Sequence, residues 1–179
     1  MIRFNKSSVA IATAVALGST FGIAARAGDV AHKLVLSYIE GAAGSEALQL
    51  GQYAEAIKQI NRRRFDGDEV AKSTNLCVAL IMTRQWDSAG KTCDDAVIEA
   101  RLDSPDPAFG VYAGHDAALG LAYSNRAVLN FLAGRSQAAV RDATRARKLS
   151  PQSQFASQNW VVMNAAPQVT GPAIAATVR

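Results

Sequence analysis

Three asparagines stand out for their spacing. Asn125 and Asn159 are 34 residues apart, and Asn75 takes the equivalent place one unit earlier once an intervening insert is allowed for. A side-chain amide carries a donor and an acceptor side by side. A ladder of them can therefore hold the main chain of an extended peptide without reading its side chains. The competing reading is that each asparagine bonds to neighbouring backbone or to solvent, and spacing alone does not choose between the two. Cys77 and Cys93 are the only cysteines. Counted away from the turn between them, they fall at one level of a helical hairpin, which allows a disulfide staple in an oxidising compartment. The alternative is a pair of buried thiols acting as small apolar groups. Their spacing is not C-x-x-C, so redox catalysis is not indicated. His32 and His115 are the only histidines, and neither stands in a local cluster of metal ligands or beside a nucleophile. No phosphate loop, zinc spacing or hydrolase elbow occurs. The expectation is a protein that is not an enzyme and needs no cofactor or metal.

These residues have to be positioned by helices. Leu121, Tyr123, Val128, Leu129, Phe131 and Leu132 form one apolar stripe at helical spacing, and Ala139, Val140, Ala143, Ala146 and Leu149 form a second. Gly134 lies between them and accepts the left-handed backbone that lets the chain reverse into an antiparallel pair. Ala127 and Ala139 permit close helix approach, and Ala146 does the same toward the next element. Pro151 ends the second helix because it lacks an amide hydrogen and biases Ser150 away from helical geometry.

The 34 residues from Gly120 to Ser153 resemble a tetratricopeptide (TPR) repeat, with Tyr123, Ala127, Gly134, Ala139, Ala146 and Pro151 in the pattern's places. Val70–Arg101 resembles a second unit: Leu76, Cys77, Leu80 and Ile81 point inward from its first helix, and Ala89, Cys93, Ala96 and Val97 from its second. Trp86 sits in its turn, and the unit departs from the pattern there, where Arg84-Gln85 replaces the usual glycine, and at its end, where no proline follows directly. Ser45–Ile57 is similar to the turn and second helix of a partial first unit, with Gly51 as the turn, Ala56 as the small packing residue and Ile57 and Ile60 inside. Arg62, Arg63 and Arg64 close its helix, where cations complement the carbonyl end.

The resemblance implies an all-α, TPR-like solenoid over residues 45–166, with its first helices lining a concave groove. Asn75, Val78, Met82, Asn125, Val128, Phe131 and Asn159 are the expected partner-binding residues, with Thr74, Ile81, Ser124, Phe155 and Val162 beside them. Co-chaperone TPR domains that clamp a carboxylate tail carry a similar Ser-Asn-Arg-Ala context around the place of Asn125. They also need lysine and asparagine on the preceding helix and lysine with arginine on the following one. Those places hold Thr74 with Val78 and Phe155 with Asn159, so the clamp is absent.

The remaining stretches flank this array. Residues 1–27 read as a secretory signal peptide: Arg3 and Lys6, an uncharged run from Val9 to Ile23, and an A-x-A site at Ala25-Arg26-Ala27. At about 15 residues the run is short of the roughly 20 that a membrane span needs. Cleavage would remove three basic residues and no acid, leaving 16 basic against 15 acidic in the mature 152 residues. The basic character therefore belongs partly to the leader and is not a nucleic-acid footprint. The expected product is exported, periplasmic or secreted, without a stable membrane span after cleavage.

In the segment 28–44, Val30, Leu34, Val35, Tyr38 and Ile39 fit one face of a short helix, while Val35–Ile39 fits a strand as well; Gly41 and Gly44 break either. Pro105, Pro107, Gly110 and Gly114 make 102–115 an irregular insert carrying Phe109 and Tyr112, either a binding element or packing over the groove. Asp116 is placed as the cap of the helix that follows. Phe155, Trp160, Val161 and Met163 predict a terminal capping helix ending near Ala166, and 167–179 reads as a disordered tail.

The function expected from these readings is a non-catalytic scaffold of the cell envelope that binds a protein or peptide in the groove. The alternative is docking to an anionic envelope component through Arg135, Arg141, Arg145, Arg147 and Lys148. Against that stands a solvated outer face with cations at a helix end.

Overall fold

A computed structural model describes residues 34–62, 68–103 and 113–165, with side chains in the last stretch from Asp116 onward. The expected signal peptide, His32, Arg63 and Arg64, the insert's Phe109 and Tyr112, the His115 side chain and the tail lie outside the described residues. Among those described, the chain is all-α, with seven helices and no strand. Helix α1 spans Ser45–Gln49, α2 Tyr53–Arg62, α3 Glu69–Met82, α4 Trp86–Leu102, α5 Ala113–Leu132, α6 Ser136–Leu149 and α7 Gln154–Ala165.

Three of the reversals share one local geometry. After α1, α3 and α5 the chain passes through a left-handed residue: Gly51 (φ 71°), Arg84 (φ 59°) and Gly134 (φ 74°). In each turn this residue donates its N–H to the carbonyl three back, and the next residue donates to the carbonyl five back. Gly134 bonds to Phe131 (3.0 Å) and Arg135 to Asn130 (2.8 Å); Arg84 bonds to Ile81 (3.0 Å) and Gln85 to Leu80 (2.9 Å). This is the Schellman arrangement, which satisfies the last carbonyls of a helix. The turn without glycine therefore adopts the same shape, with Arg84 taking the conformational cost.

Small residues let the paired helices meet. Ala56, Ala89, Ala127, Ala139, Ala143 and Ala146 have no exposed surface. A Cβ at Gly120 would collide with the Ser150 side chain, so α5 also passes close to the end of α6. Cys77 and Cys93 form a disulfide that ties α3 to α4, with their Cα atoms 4.9 Å apart. Two helix starts are capped by side chains: the Asp68 carboxylate accepts from the Ala71 N–H at α3 (2.9 Å) and the Ser153 hydroxyl from the Ala156 N–H at α7 (3.2 Å).

Packing runs from each helix to the next, α2 on α3, α3 on α4, α4 on α5, α5 on α6 and α6 on α7. In addition α3 touches α5, and α5 touches α7. The alternate helices that carry Asn75, Asn125 and Asn159 are thus neighbours. Two expectations change in detail. Asp116 sits in the first turn of α5 rather than capping it, because the helix starts at Ala113. Val161 on α7 points outward, while Met163 is buried.

Candidate functional site

Residues 34–39 adopt neither the helix nor the paired strand that their pattern allows. They run extended across α7, α5 and α3 in that order, opposite to the order of the helices in the chain. Each asparagine holds both main-chain groups of one residue in this strap. The Val35 N–H donates to Asn159 Oδ1 (2.8 Å) and Asn159 Nδ2 donates to the Val35 carbonyl (2.8 Å). Ser37 pairs with Asn125 in the same way (3.0 and 2.7 Å), and Ile39 with Asn75 (2.7 and 3.0 Å).

The period of two follows from strand geometry. In an extended chain the N–H and C=O of alternate residues point to one edge. Three amides in a row present the donor and acceptor pattern of a neighbouring strand, built from side chains. The asparagines are essentially fully buried, and an amide lodged there without partners would be costly. Two of them are held further. Asn75 Nδ2 also donates to the Ala43 carbonyl (3.2 Å), and Asn159 Nδ2 to the Ser124 hydroxyl (3.0 Å).

The strap also packs. Leu36 and Tyr38 belong to the main apolar core with Cys77, Val78, Val128 and Met163, and Leu34, Met82 and Phe131 lie half-buried against it. Val35 and Ser37 are buried as well. Of the residues expected from sequence to bind a partner, Asn75, Asn125 and Asn159 hold the chain's own residues 34–39, while Val78 and Val128 lie in the core cluster that includes Leu36 and Tyr38, with Met82 and Phe131 packed against it. Nothing local in the sequence marks the strap as their partner. The available signal was an uncharged, β-prone run in a chain that is otherwise helical.

Two hydroxyls in this region are buried with no hydrogen-bond partner, those of Tyr38 in the strap and Thr74 in α3. At the hinge, Gly41 and Gly44 are left-handed (φ 75° and 76°), and a Cβ on Gly44 would lie 2.8 Å from Ile60 Cγ1. That close approach explains the glycine where the strap turns into α1.

The internal ion-pair network is centred on Arg126 of α5 and buried Asp142 of α6. Arg126 on α5 donates from Nε and Nη2 to Asp142 (2.8 and 3.0 Å) and from Nη1 to Asp94 (2.8 Å), linking α5 to α6 and α4. Burial opposes the Arg126 charge, but hydrogen bonding and charge from Asp142, then Asp94, outweigh it and raise its pKa. Buried Asp142 also accepts from Asn130 and Arg145, and Arg135 donates to Asn130. Arg101, Arg126 and Arg145 lie 5.3–5.5 Å from the centre of the Tyr123 ring, and Arg147 lies 4.2 Å from that of Trp160. Arg135, Arg141, Arg145, Arg147 and Lys148, the residues of the alternative docking surface, are all exposed.

Among the described residues no group of histidine, cysteine and carboxylate side chains is arranged to hold a metal, and no helix is long and apolar enough to cross a membrane. Comparison with family models, with curated proteins and with solved structures finds no match to this chain.

Proposed function

We propose that this chain is a TPR-like interaction protein of the cell envelope whose α3–α5–α7 face binds an extended polypeptide segment by its main chain. Three helical hairpins with one turn geometry, and equivalent asparagines 34 residues apart, support the solenoid reading. The disulfide is compatible with export through the leader expected at residues 1–27.

The observation that carries the reading is the set of three asparagine amides, each paired with both main-chain groups of one extended residue. Such a clamp grips any segment that can extend, whatever its side chains, and leaves selection to the apolar surroundings. It performs no bond-making chemistry. The role is non-catalytic docking.

The test is a peptide library presented to full-length mature protein whose strap is loosened by Ser37→Pro. Proline there removes the N–H that Asn125 accepts while keeping the backbone extended. Binders that disappear when Asn125→Ala is added are expected. A library without a single Asn125-dependent binder would refute the docking function.

A further inference from the structure

We propose that the strap 34–39 is a displaceable occupant of this face, and that the partner replacing it is an uncharged extended segment with apolar side chains at the Leu36 and Tyr38 places. This rests on the docking role proposed above and names its ligand class.

Four observations lead to it. The strap, Leu-Val-Leu-Ser-Tyr-Ile, is uncharged, and so are the asparagines that hold it, Asn75, Asn125 and Asn159, and the residues that share its core cluster, Val78, Val128 and Met163. A charge carried into that site would be buried without a counter-charge, so the face selects against it. The main-chain bonds are blind to whether the gripped segment belongs to this molecule or another. On its C-terminal side the strap joins α1 through residues 40–44, where Gly41 and Gly44 are left-handed, so the segment that would have to swing is short and contains no helix. Its fit is also incomplete, because the Tyr38 hydroxyl is buried without a partner. A segment with phenylalanine at that place keeps the apolar contact and avoids burying an unpaired hydroxyl. The bound direction is set as well: the ligand's N-terminal end lies over α7 and its C-terminal end over α3, as Val35 and Ile39 do.

The experiment measures binding of a capped fluorescent peptide, Leu-Val-Leu-Ser-Tyr-Ile, to full-length mature protein. Ser37→Pro protein should bind it at least ten-fold more tightly than the wild type, since the competing strap is weakened. Adding Asn125→Ala should lower that affinity at least ten-fold. A peptide with phenylalanine at the tyrosine place should bind more tightly than the parent, and one with lysine at the second leucine should not bind. Val35→Pro provides a second loosened strap if Ser37→Pro does not fold, as judged by circular dichroism.

Asn125-dependent binding of the lysine peptide equal to that of the parent would overturn the ligand class while leaving the docking role intact. Equal affinity of wild type and both loosened proteins would overturn the displaceable strap. Doubling of molecular mass in Ser37→Pro protein, reversed by excess peptide, would assign the face to a second copy's strap and overturn the separate partner.

Discussion

Replacing Asn125 by alanine attacks the strap at its centre, and the structure allows the effect to be sized. Six strap residues are held by six main-chain hydrogen bonds, and the side chains of Leu34, Val35, Leu36 and Tyr38 are buried or half-buried. Four such side chains at about 2 kcal/mol each and the bonds at about 1 kcal/mol each oppose an ordering cost of about 1.5–2 kcal/mol per residue. The remainder is roughly 2–5 kcal/mol in favour of the docked strap. This lies at or below the lower end of the roughly 5–15 kcal/mol typical of a whole domain, so the strap should open on its own.

Asn125→Ala removes two of the bonds and leaves the buried N–H and C=O of Ser37 unpaired, at a cost of about 2–3 kcal/mol. Native-state hydrogen exchange is the assay. Amides of Val35, Ser37 and Ile39 should lose roughly 30- to 150-fold of their protection, while core amides around Ala127 and Ala143 stay within a few-fold of the wild type. If strap and core amides lose protection equally, the strap is part of the global folding unit, and the reasoning that makes it separable is wrong.

Other perturbations probe the frame. Replacing both Cys77 and Cys93 by alanine should lower stability by about 3 kcal/mol in denaturant titration, and intact mass of wild-type protein purified without reductant should show no free thiol. Arg84→Gly should raise stability by about 0.5–1 kcal/mol, because glycine accepts the left-handed turn without strain. Gly134→Ala should lower it by about 1 kcal/mol, and both are read from thermal midpoints. Asp142→Ala should cost about 2–4 kcal/mol, since it leaves Arg126 and Asn130 without their buried acceptor.

Burial raises the Glu99 pKa above its ordinary 4.5, against a lowering from the Ser73 hydrogen bond. A raised carboxyl pKa penalises the ionised form in the folded state. Stability from this group is therefore greatest below 4.5 and falls as pH rises through that value to the folded pKa. Glu99→Gln should flatten that part of the stability-pH curve.

Much of the architecture is local information, and the sequence by itself determined it. Helical periodicity, the turn glycines at 51 and 134, the buried alanines and the level placement of Cys77 and Cys93 depend on spacing within one hairpin, which residue types report directly. The shared face of Asn75, Asn125 and Asn159 was legible for the same reason, since their spacing repeats with the hairpins.

What fills that face was decided only by tertiary structure. Val35–Ile39 is a short, mostly apolar run that fits helix and strand alike, and its partners lie 36, 88 and 124 residues along the chain. An extended segment with no local hydrogen bonds takes its conformation from whatever holds it, and here three side chains replace a neighbouring strand. Arg84 follows the same logic. Its left-handed backbone is disfavoured by its own residue type and is held by the hydrogen bonds that close α3. Locally encoded elements were readable because each carries its own free-energy preference; the strap was not, because its preference exists only once the folded face is there to receive it.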